Sequence, residues 1–264
     1  MVKNYLADVR EEQLKARVVA RQAEPVVLAD LKVISRHIHS KLLVSSSLEP
    51  AQTFILARDQ AVFKALFFSG DRAADLLQLK TSDVWRFPDN SGLLLNHVWT
   101  KTLRSGDKNV LAFKRGSNKT VCPVAGREFY VRLCNLLSVD LGSGYIFRSL
   151  SKEGKISSRG LEAAAAQSRL NLYAAELRGQ LSSERFTLHG FRSGSAVSLA
   201  LADVDLNDIM DHVGWKNSRT ALHYIKLKQV VNLAGAAAKL ADLHPDTGKV
   251  YKSLDCFKGF SQAF

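Results

Sequence analysis

Cysteine is scarce in this chain, and the few cysteines form no motif. Cys122, Cys134 and Cys256 are far apart and make no CxxC pair. This spacing fits neither a disulfide framework nor a zinc site, and it suits a reducing compartment. No cluster of carboxylates suggests a metal site either, so we expect no metal and no other cofactor.

Long apolar runs are missing as well. No stretch approaches the roughly 18 apolar residues of a membrane span, and the N-terminal Met-Val-Lys-Asn lacks the apolar core of a signal peptide. The sequence therefore predicts a soluble, intracellular protein with no membrane partner, which would be nuclear if the host is eukaryotic.

Acidic residues are few beside the basic ones. The 264 residues include 37 Lys and Arg against 25 Asp and Glu, which gives a net charge of +12 and a pI near 9.7. Such a surplus is typical of proteins that bind a polyanion, and nucleic acid is the first candidate. A merely basic soluble protein is the alternative that charge alone leaves open.

The apolar pattern predicts a mainly α protein with a small antiparallel β-sheet, an α+β fold. Apolar residues make up 46% of the chain, enough for a sizeable core. Strand-like segments lie between residues 93 and 113, and residues 120–124 resemble a closing edge strand. Helices are predicted over residues 3–20, 28–43, 50–68, 126–138, 160–178, 190–202, 205–212 and 217–242.

Two basic patterns in the first half of the chain could contact phosphate. Gly70-Asp71-Arg72 follows a predicted helix, and Asp75 comes three residues after the arginine. This pair could be an ordinary surface ion pair or an oriented phosphate-binding guanidinium. Thr100-Lys101-Thr102 lies between two predicted strands, where a basic hairpin is either a solvated surface or a shape that enters a DNA groove.

Two further patterns lie in the second half. His189-Gly190-Phe191-Arg192 places a proton carrier and a planar guanidinium on one helical turn, although such a motif by itself is a weak signal. Gly214-Trp215 precedes Tyr224 by nine residues, counted from Trp215 to Tyr224. Taken singly, Tyr224 is no better a nucleophile candidate than Tyr130 or Tyr173.

The order of these patterns resembles the tyrosine recombinase, or phage integrase, family. Arg, a hairpin Lys, His-x-x-Arg, Gly-Trp and Tyr follow one another over about residues 20–243. Most members have His where this chain has Trp215, and the Trp variant is similar to the Cre-like branch. Ser-Gly-Asp-Arg-Ala and Cys-Pro-Val are similar to recombinases of eukaryotic DIRS and Crypton mobile elements.

The resemblance implies a site-specific recombinase or integrase that cleaves and rejoins DNA without metal through a 3′-phosphotyrosyl intermediate, in the catalytic-domain fold of the family. Tyr224 would be the nucleophile and Lys101 the general acid, while Asp75 would orient the His–Arg cluster. The remaining members of the implied catalytic set are Arg72, Arg192, His189 and Trp215. Basic residues expected to bind DNA are Arg104, Lys108, Lys114, Arg115, Lys119, Lys216 and Arg219.

The resemblance also predicts domains and partners. Residues 1–20 would be the last helix of a truncated N-terminal DNA-clamping domain, residues 21–243 the catalytic domain, and 244–264 a tail. Double-stranded DNA is the expected partner, with a tetramer on DNA that exchanges the 227–243 helix between protomers; otherwise this helix packs on its own domain. A type IB topoisomerase and a non-catalytic DNA-binding descendant are the rival functions.

Overall fold

One helix, 20 residues long, runs through the centre of the core. The structure is a computed structural model and describes residues 24–44, 49–97, 109–183, 185–218 and 221–222. These residues form helices around two small antiparallel sheets, which confirms the predicted fold class. In chain order the elements are α1 (Leu28–Leu43), α2 (Pro50–Ser69), α3 (Ala73–Leu77), a 3-10 turn (Thr81–Asp83), β1 (Val84–Arg86), β2 (Gly92–His97), β3 (Asn109–Lys114), α4 (Pro123–Leu136), β4 (Arg148–Leu150), β5 (Ile156–Gly160), α5 (Ala163–Glu176), α6 (Leu188–Leu201) and α7 (Leu206–Val213).

Two residues fix the ends of the central helix α2. Pro50 stands at the first helical position, where its missing N–H has no intrahelical partner to lose. Gly70 ends the helix in the left-handed conformation. Most residues of α2 are buried on all sides, because α1, α4, α6 and β3 pack around it. The predicted bounds of α1 and α2 are confirmed, and the α4 to α7 helices lie within about three residues of prediction.

The three-stranded sheet lies on one side of this core. β1 pairs with β2 and β2 with β3, both antiparallel, and His97 of β2 is opposite Asn109 of β3. Leu93 and Leu95 point into the core together with Leu111 and Phe113 of β3, as the period of two requires. The pairing confirms the predicted small antiparallel sheet.

The predicted edge strand over residues 120–124 is wrong. Cys122 is the N-cap of α4, and its sulfur accepts a hydrogen bond from the N–H of Ala125 at 3.5 Å. Pro123 then occupies the first helical position, where its fixed φ suits a helix start. The same proline that excludes a central strand is therefore a helix-start signal here.

The β4–β5 hairpin was not predicted. Its strands are only three and five residues long and are half-buried or exposed, so they carry little apolar alternation. The predicted helix over 3–20, most of the predicted helix over 217–242 and the tail over 244–264 lie outside the described residues. Among the residues that are described, no helix is long and apolar enough to cross a bilayer.

A second, smaller apolar cluster joins α6 to α7. It contains Ala196, Ala200, Ile209, Val213, Trp215 and Ala221, separate from the main core. The imidazole Nε2 of His212 lies 2.9 Å from the carbonyl oxygen of Phe68 and so links α7 to the end of α2. The end of α2 therefore lies where the main core meets the small cluster.

Candidate active site

The Gly70–Arg72 turn after α2 is the centre of the candidate active site. Gly70 has a φ of 62°, which glycine adopts without a steric penalty. A Cβ here would also lie 3.0 Å from Cγ2 of Val213 and 3.3 Å from Oγ of Ser195. Glycine therefore both ends α2 abruptly and allows α6 and α7 to pack directly against the turn.

Arg192 reaches this turn from α6 and is held on two sides. It is 3% exposed, and its Nη1 donates a hydrogen bond of 2.7 Å to the carbonyl oxygen of Gly70. The guanidinium carbon lies 5.3 Å from the centre of the Trp215 ring, a distance at which a cation is attracted to an aromatic face. The sequence pattern predicted both residues in one site but not their mutual contact.

Arg72 lies on the outer side of the same turn, as the N-cap residue of α3. Its side chain is 37% exposed, and Nη1 lies 3.6 Å from Oδ2 of the buried Asp75. A partly exposed pair at this distance contributes little to stability. This contact therefore restrains Arg72 less than the two contacts of Arg192 restrain that residue.

His189 is the second residue of α6, which begins next to the turn. Thr187 caps the helix, because its hydroxyl oxygen accepts the N–H of Gly190 at 3.3 Å. Desolvation by the surrounding protein, followed by the charges of Arg192 and Arg72, lowers the pKa of His189. Both arginines thus act on one imidazole, which is neutral at neutral pH and able to accept a proton.

A buried ion pair beside the turn was not predicted. His97, the last residue of β2, is 1% exposed, and its Nε2 lies 2.8 Å from Oδ2 of Asp71. Burial alone lowers the pKa of His97, but contact with Asp71 and the charges of Asp75 and Asp83 outweigh burial and raise it. The pair joins the end of β2 to the residue that precedes Arg72.

Two of the tyrosines compared with Tyr224 are enclosed in the core. Tyr130 and Tyr173 are both 0% exposed. The hydroxyl of Tyr130 donates to the carbonyl oxygen of Ile146 at 3.0 Å, and that of Tyr173 donates to Oδ2 of Asp59 at 2.9 Å. Burial raises the pKa of both phenols. Neither hydroxyl can reach a DNA phosphate, so the structure removes both from the list of nucleophile candidates.

The basic residues expected to bind DNA have different surroundings. The ammonium of Lys114 lies 4.7 Å above the ring of Phe87. The guanidinium of Arg115 donates to both carboxylate oxygens of Glu128, at 2.9 and 2.7 Å, so a phosphate would have to compete with this carboxylate. Lys119 and Lys216 are exposed, and Lys216 directly follows Trp215.

Several predicted site residues lie outside the described residues, and their placement stays a prediction. They are Lys101, Arg104, Lys108, Arg219 and Tyr224. Residues 98–108 connect β2 to β3 along the chain, which is where the hairpin lysine was predicted. Among the described residues, no group of three or more His, Cys, Asp or Glu is placed to hold a metal ion; the absence of a metal requirement remains a prediction.

Comparison with known proteins gives a family and a fold. Residues 44–230 match the model of the Phage integrase family. A comparison with curated proteins gives no match. The XerH site-specific recombinase bound to its palindromic difH substrate, a post-cleavage complex, has a TM-score of 0.60 at 15% identity over 84% of this chain and 54% of that chain.

Two further solved structures are similar. The pre-cleavage complex of XerH with difH has a TM-score of 0.54 at 17% identity, over 79% of this chain and 53% of that chain. The Tn1549 transposon integrase in complex with transposon right end DNA has a TM-score of 0.53 at 12% identity, over 82% and 68%. At these identities the likeness shows the fold, and the chain spans about half the length of the XerH chains it matches.

Proposed function

Because the chain belongs to the phage integrase family, we propose that it is a tyrosine-type recombinase that cleaves and rejoins DNA strands through a 3′-phosphotyrosyl bond to Tyr224. One observation carries the proposal. Arg192 donates a hydrogen bond of 2.7 Å to the carbonyl oxygen of Gly70, two residues before Arg72, and both guanidinium charges, after desolvation, lower the pKa of His189. Double-stranded DNA would be the substrate, and in support XerH is bound to its difH substrate and the Tn1549 integrase to transposon right end DNA.

In the proposed reaction, the hydroxyl oxygen of Tyr224 attacks the scissile phosphorus while the bond to the 5′-oxygen breaks. His189 accepts the phenolic proton, since a neutral imidazole is available to do so. Lys101 donates a proton to the departing 5′-oxygen. The phosphotyrosine retains the bond energy, so a 5′-hydroxyl can reverse the cut without ATP.

The two arginines would stabilise the charge that gathers on the non-bridging phosphate oxygens. A guanidinium offers a fork of donors that matches two oxygens at once. Arg192 is pre-oriented by Gly70 and Trp215, so little reorganisation is needed when the charge develops. The ring of Trp215 would pack against the guanidinium of Arg192, and the indole N–H would donate to a phosphate oxygen. Asp75, beside Arg72, would orient that guanidinium.

The proposal extends to domains and assembly. Residues 21–243 form the catalytic unit, preceded over 1–20 by the end of a DNA-clamping domain and followed by a tail. Four protomers assemble on two duplexes and exchange the 227–243 helix, which would couple each active site to the next. An origin in a eukaryotic mobile element remains an expectation from the sequence.

The decisive experiment is covalent trapping. The protein, in buffer with EDTA, is incubated with a pool of nicked duplexes of random sequence, and covalent adducts are isolated after denaturation. We expect DNA attached to the peptide that contains Tyr224, and no adduct with Tyr224→Phe, which removes only the hydroxyl. Tyr145→Phe is the matched control, because Tyr145 is a half-buried tyrosine with no proposed role in the reaction, and it should form adducts at the wild-type rate.

The outcomes separate the proposed function from its rivals. Adducts that persist in Tyr224→Phe would move the nucleophile elsewhere, and a strict Mg²⁺ requirement would contradict the mechanism. DNA binding without any adduct would favour a non-catalytic DNA-binding protein. A third outcome would favour a topoisomerase. The protein would then relax supercoiled DNA but would exchange no strands between two duplexes that carry a sequence recovered from the adducts.

A further inference from the structure

A cavity away from the candidate active site contains a buried lysine. The cavity has a volume of about 420 Å³ and lies between α1, α2 and the first turns of α4. Lys64 of α2 lines it and is only 2% exposed. Among the described residues, no acceptor bonds to the Lys64 ammonium. Enclosing the side chain of a lysine desolvates much of its charge, which is costly, so this lysine requires an explanation beyond packing.

A glycine in α4 lies directly beside the Lys64 side chain. Gly126 lies in the first turns of α4, and a Cβ there would be 2.8 Å from Cδ of Lys64. Glycine inside a helix is less favourable than alanine by roughly 1 kcal/mol. A side chain at position 126 would therefore push the flexible Lys64 side chain out of its present path.

The position of the ammonium is electrostatically unfavourable without a ligand. Ala125, in the first turn of α4, also lines the cavity, and the start of a helix carries partial positive charge. Burial is the main cause that lowers the pKa of Lys64 to about 8. Both effects disfavour a cation here and would be relieved by a bound anion.

The rim of the cavity adds positive charge and no negative charge. Arg36 of α1, Lys119 before α4 and Arg132 of α4 line it and are exposed. No Asp or Glu of the described residues is among its lining residues. Donors from three separate elements thus surround the buried ammonium.

We propose that this cavity is a binding site for a phosphate group, with Lys64 as its buried ligand and Arg36, Lys119 and Arg132 at its rim. Phosphate suits the site because it carries negative charge and several strong acceptor oxygens, which can satisfy lysine and arginine donors together. The same chemistry is present in a DNA backbone phosphate and in a free phosphate compound. The site is separate from the cleavage chemistry proposed for Tyr224.

The first test uses inorganic pyrophosphate and the full chain in phosphate-free buffer. We expect saturable binding by calorimetry and a rise in Tm with pyrophosphate concentration. Lys64→Met keeps an unbranched apolar stem and should bind at least tenfold more weakly. The same variant should have a Tm at least as high as that of the wild type without ligand, because it removes a largely desolvated ammonium.

A matched control separates the site from general ion effects. Lys80 is an exposed lysine outside this cavity, and Lys80→Met should bind pyrophosphate as the wild type does. Multivalent anions stabilise most proteins non-specifically, and this component should be equal in all three proteins. Equal binding by wild type and Lys64→Met, or no saturable binding at all, would overturn the proposal.

The second test distinguishes the two sources of phosphate by competition with a duplex of about 30 base pairs. Tyr224→Phe protein is used, so the result does not depend on cleavage. If the duplex displaces pyrophosphate, and Lys64→Met reduces the slope of log K against log salt by about 0.9, the site holds a backbone phosphate. If duplex and pyrophosphate bind together with an unchanged slope, the site holds a free phosphate compound.

Discussion

The two arginines of the candidate site are held in opposite ways. Arg192 is 3% exposed and fixed by the Gly70 carbonyl on one side and the Trp215 ring on the other. Arg72 has a side chain that is 37% exposed, with a contact of 3.6 Å to Asp75. The first belongs to the junction between the main core and the small α6–α7 cluster, and the second to the surface of the turn.

This difference distinguishes the contribution of each arginine to the stability of the fold from its contribution to the reaction. A buried guanidinium with fixed partners provides an oriented donor but makes the fold depend on it. An exposed guanidinium adjusts to its ligand and can be removed with little effect on folding. We therefore expect substitutions of the two arginines to affect the reaction alike and the stability differently.

The largest combined effect, on the reaction and on stability together, is expected from Arg192→Ala. Loss of either arginine should slow adduct formation by about 10²–10³-fold, since each removes a donor to the developing charge. Arg192→Ala should also lower the free energy of unfolding by about 1–3 kcal/mol, because the Gly70 carbonyl loses its buried partner. Arg72→Ala should lower it by less than about 1 kcal/mol. Single-turnover trapping and urea unfolding of both variants measure the two quantities.

Equal stability losses in the two variants would contradict this comparison. Arg192→Lys and Arg72→Lys refine it, because lysine keeps the charge but not the fork of donors. If the reaction requires the two parallel donors of a guanidinium, both lysine variants should form adducts much more slowly than the wild type.

The next effect concerns the ring that supports Arg192. Trp215 is 8% exposed within a small cluster, so Trp215→Ala should lower the free energy of unfolding by about 3–5 kcal/mol. Trp215→Phe keeps an aromatic face for the guanidinium and loses the indole N–H. A Phe variant that is stable but slow in trapping would assign the N–H a role at the phosphate, and a stable and fast one would limit Trp215 to support.

The smallest effect is expected at the His97–Asp71 pair and depends on pH. The folded state raises the pKa of His97 above its ordinary value of 6.5. Its contribution to stability should therefore be complete below about pH 6.5 and decline as pH rises through the folded pKa. The double variant His97→Gln, Asp71→Asn keeps polar partners and should lose at most about 1–2 kcal/mol. Its stability should lack the wild-type decline at pH 6.5 and above.

Denaturant unfolding between pH 5 and 9 measures that dependence, and histidine NMR gives the pKa of His97 directly. Stability curves that run parallel in wild type and double variant would show that His97 does not titrate with Asp71. The pH dependence of stability in Arg72→Ala, measured under the same conditions, would show whether the His97–Asp71 pair interacts with Arg72.

Sequence patterns identified the parts of the fold that local chemistry specifies. Pro50 and Gly70 mark the two ends of α2, and the apolar run Leu93-Leu94-Leu95 marks β2. The same reasoning failed at Cys122-Pro123, because proline fits both an edge strand and a helix start. Local sequence alone does not distinguish these two uses of proline.

Residue order also indicates the candidate site, since the order of the family motifs points to Arg72, His189, Arg192 and Trp215. Their contacts could not be predicted. The Arg192–Trp215 stacking and the His97–Asp71 pair join residues from different elements, and no periodicity records which distant side chains meet. For the His97–Asp71 pair, the sequence shows only a histidine at the end of an apolar strand and an aspartate beside an arginine.

By itself, then, the amino-acid sequence determined most of the described helices, the three-stranded sheet and the basic character, and through a family resemblance it predicted a set of residues for phosphoryl transfer. Tertiary structure alone decided which side chains are enclosed. It buried Tyr130 and Tyr173, which removed them as nucleophiles, and it placed Lys64 beside Gly126 in the wall of a cavity. The physical reason is that burial, desolvation and close contact depend on packing between elements, whereas helix ends and strand alternation depend on residues near one another in the chain.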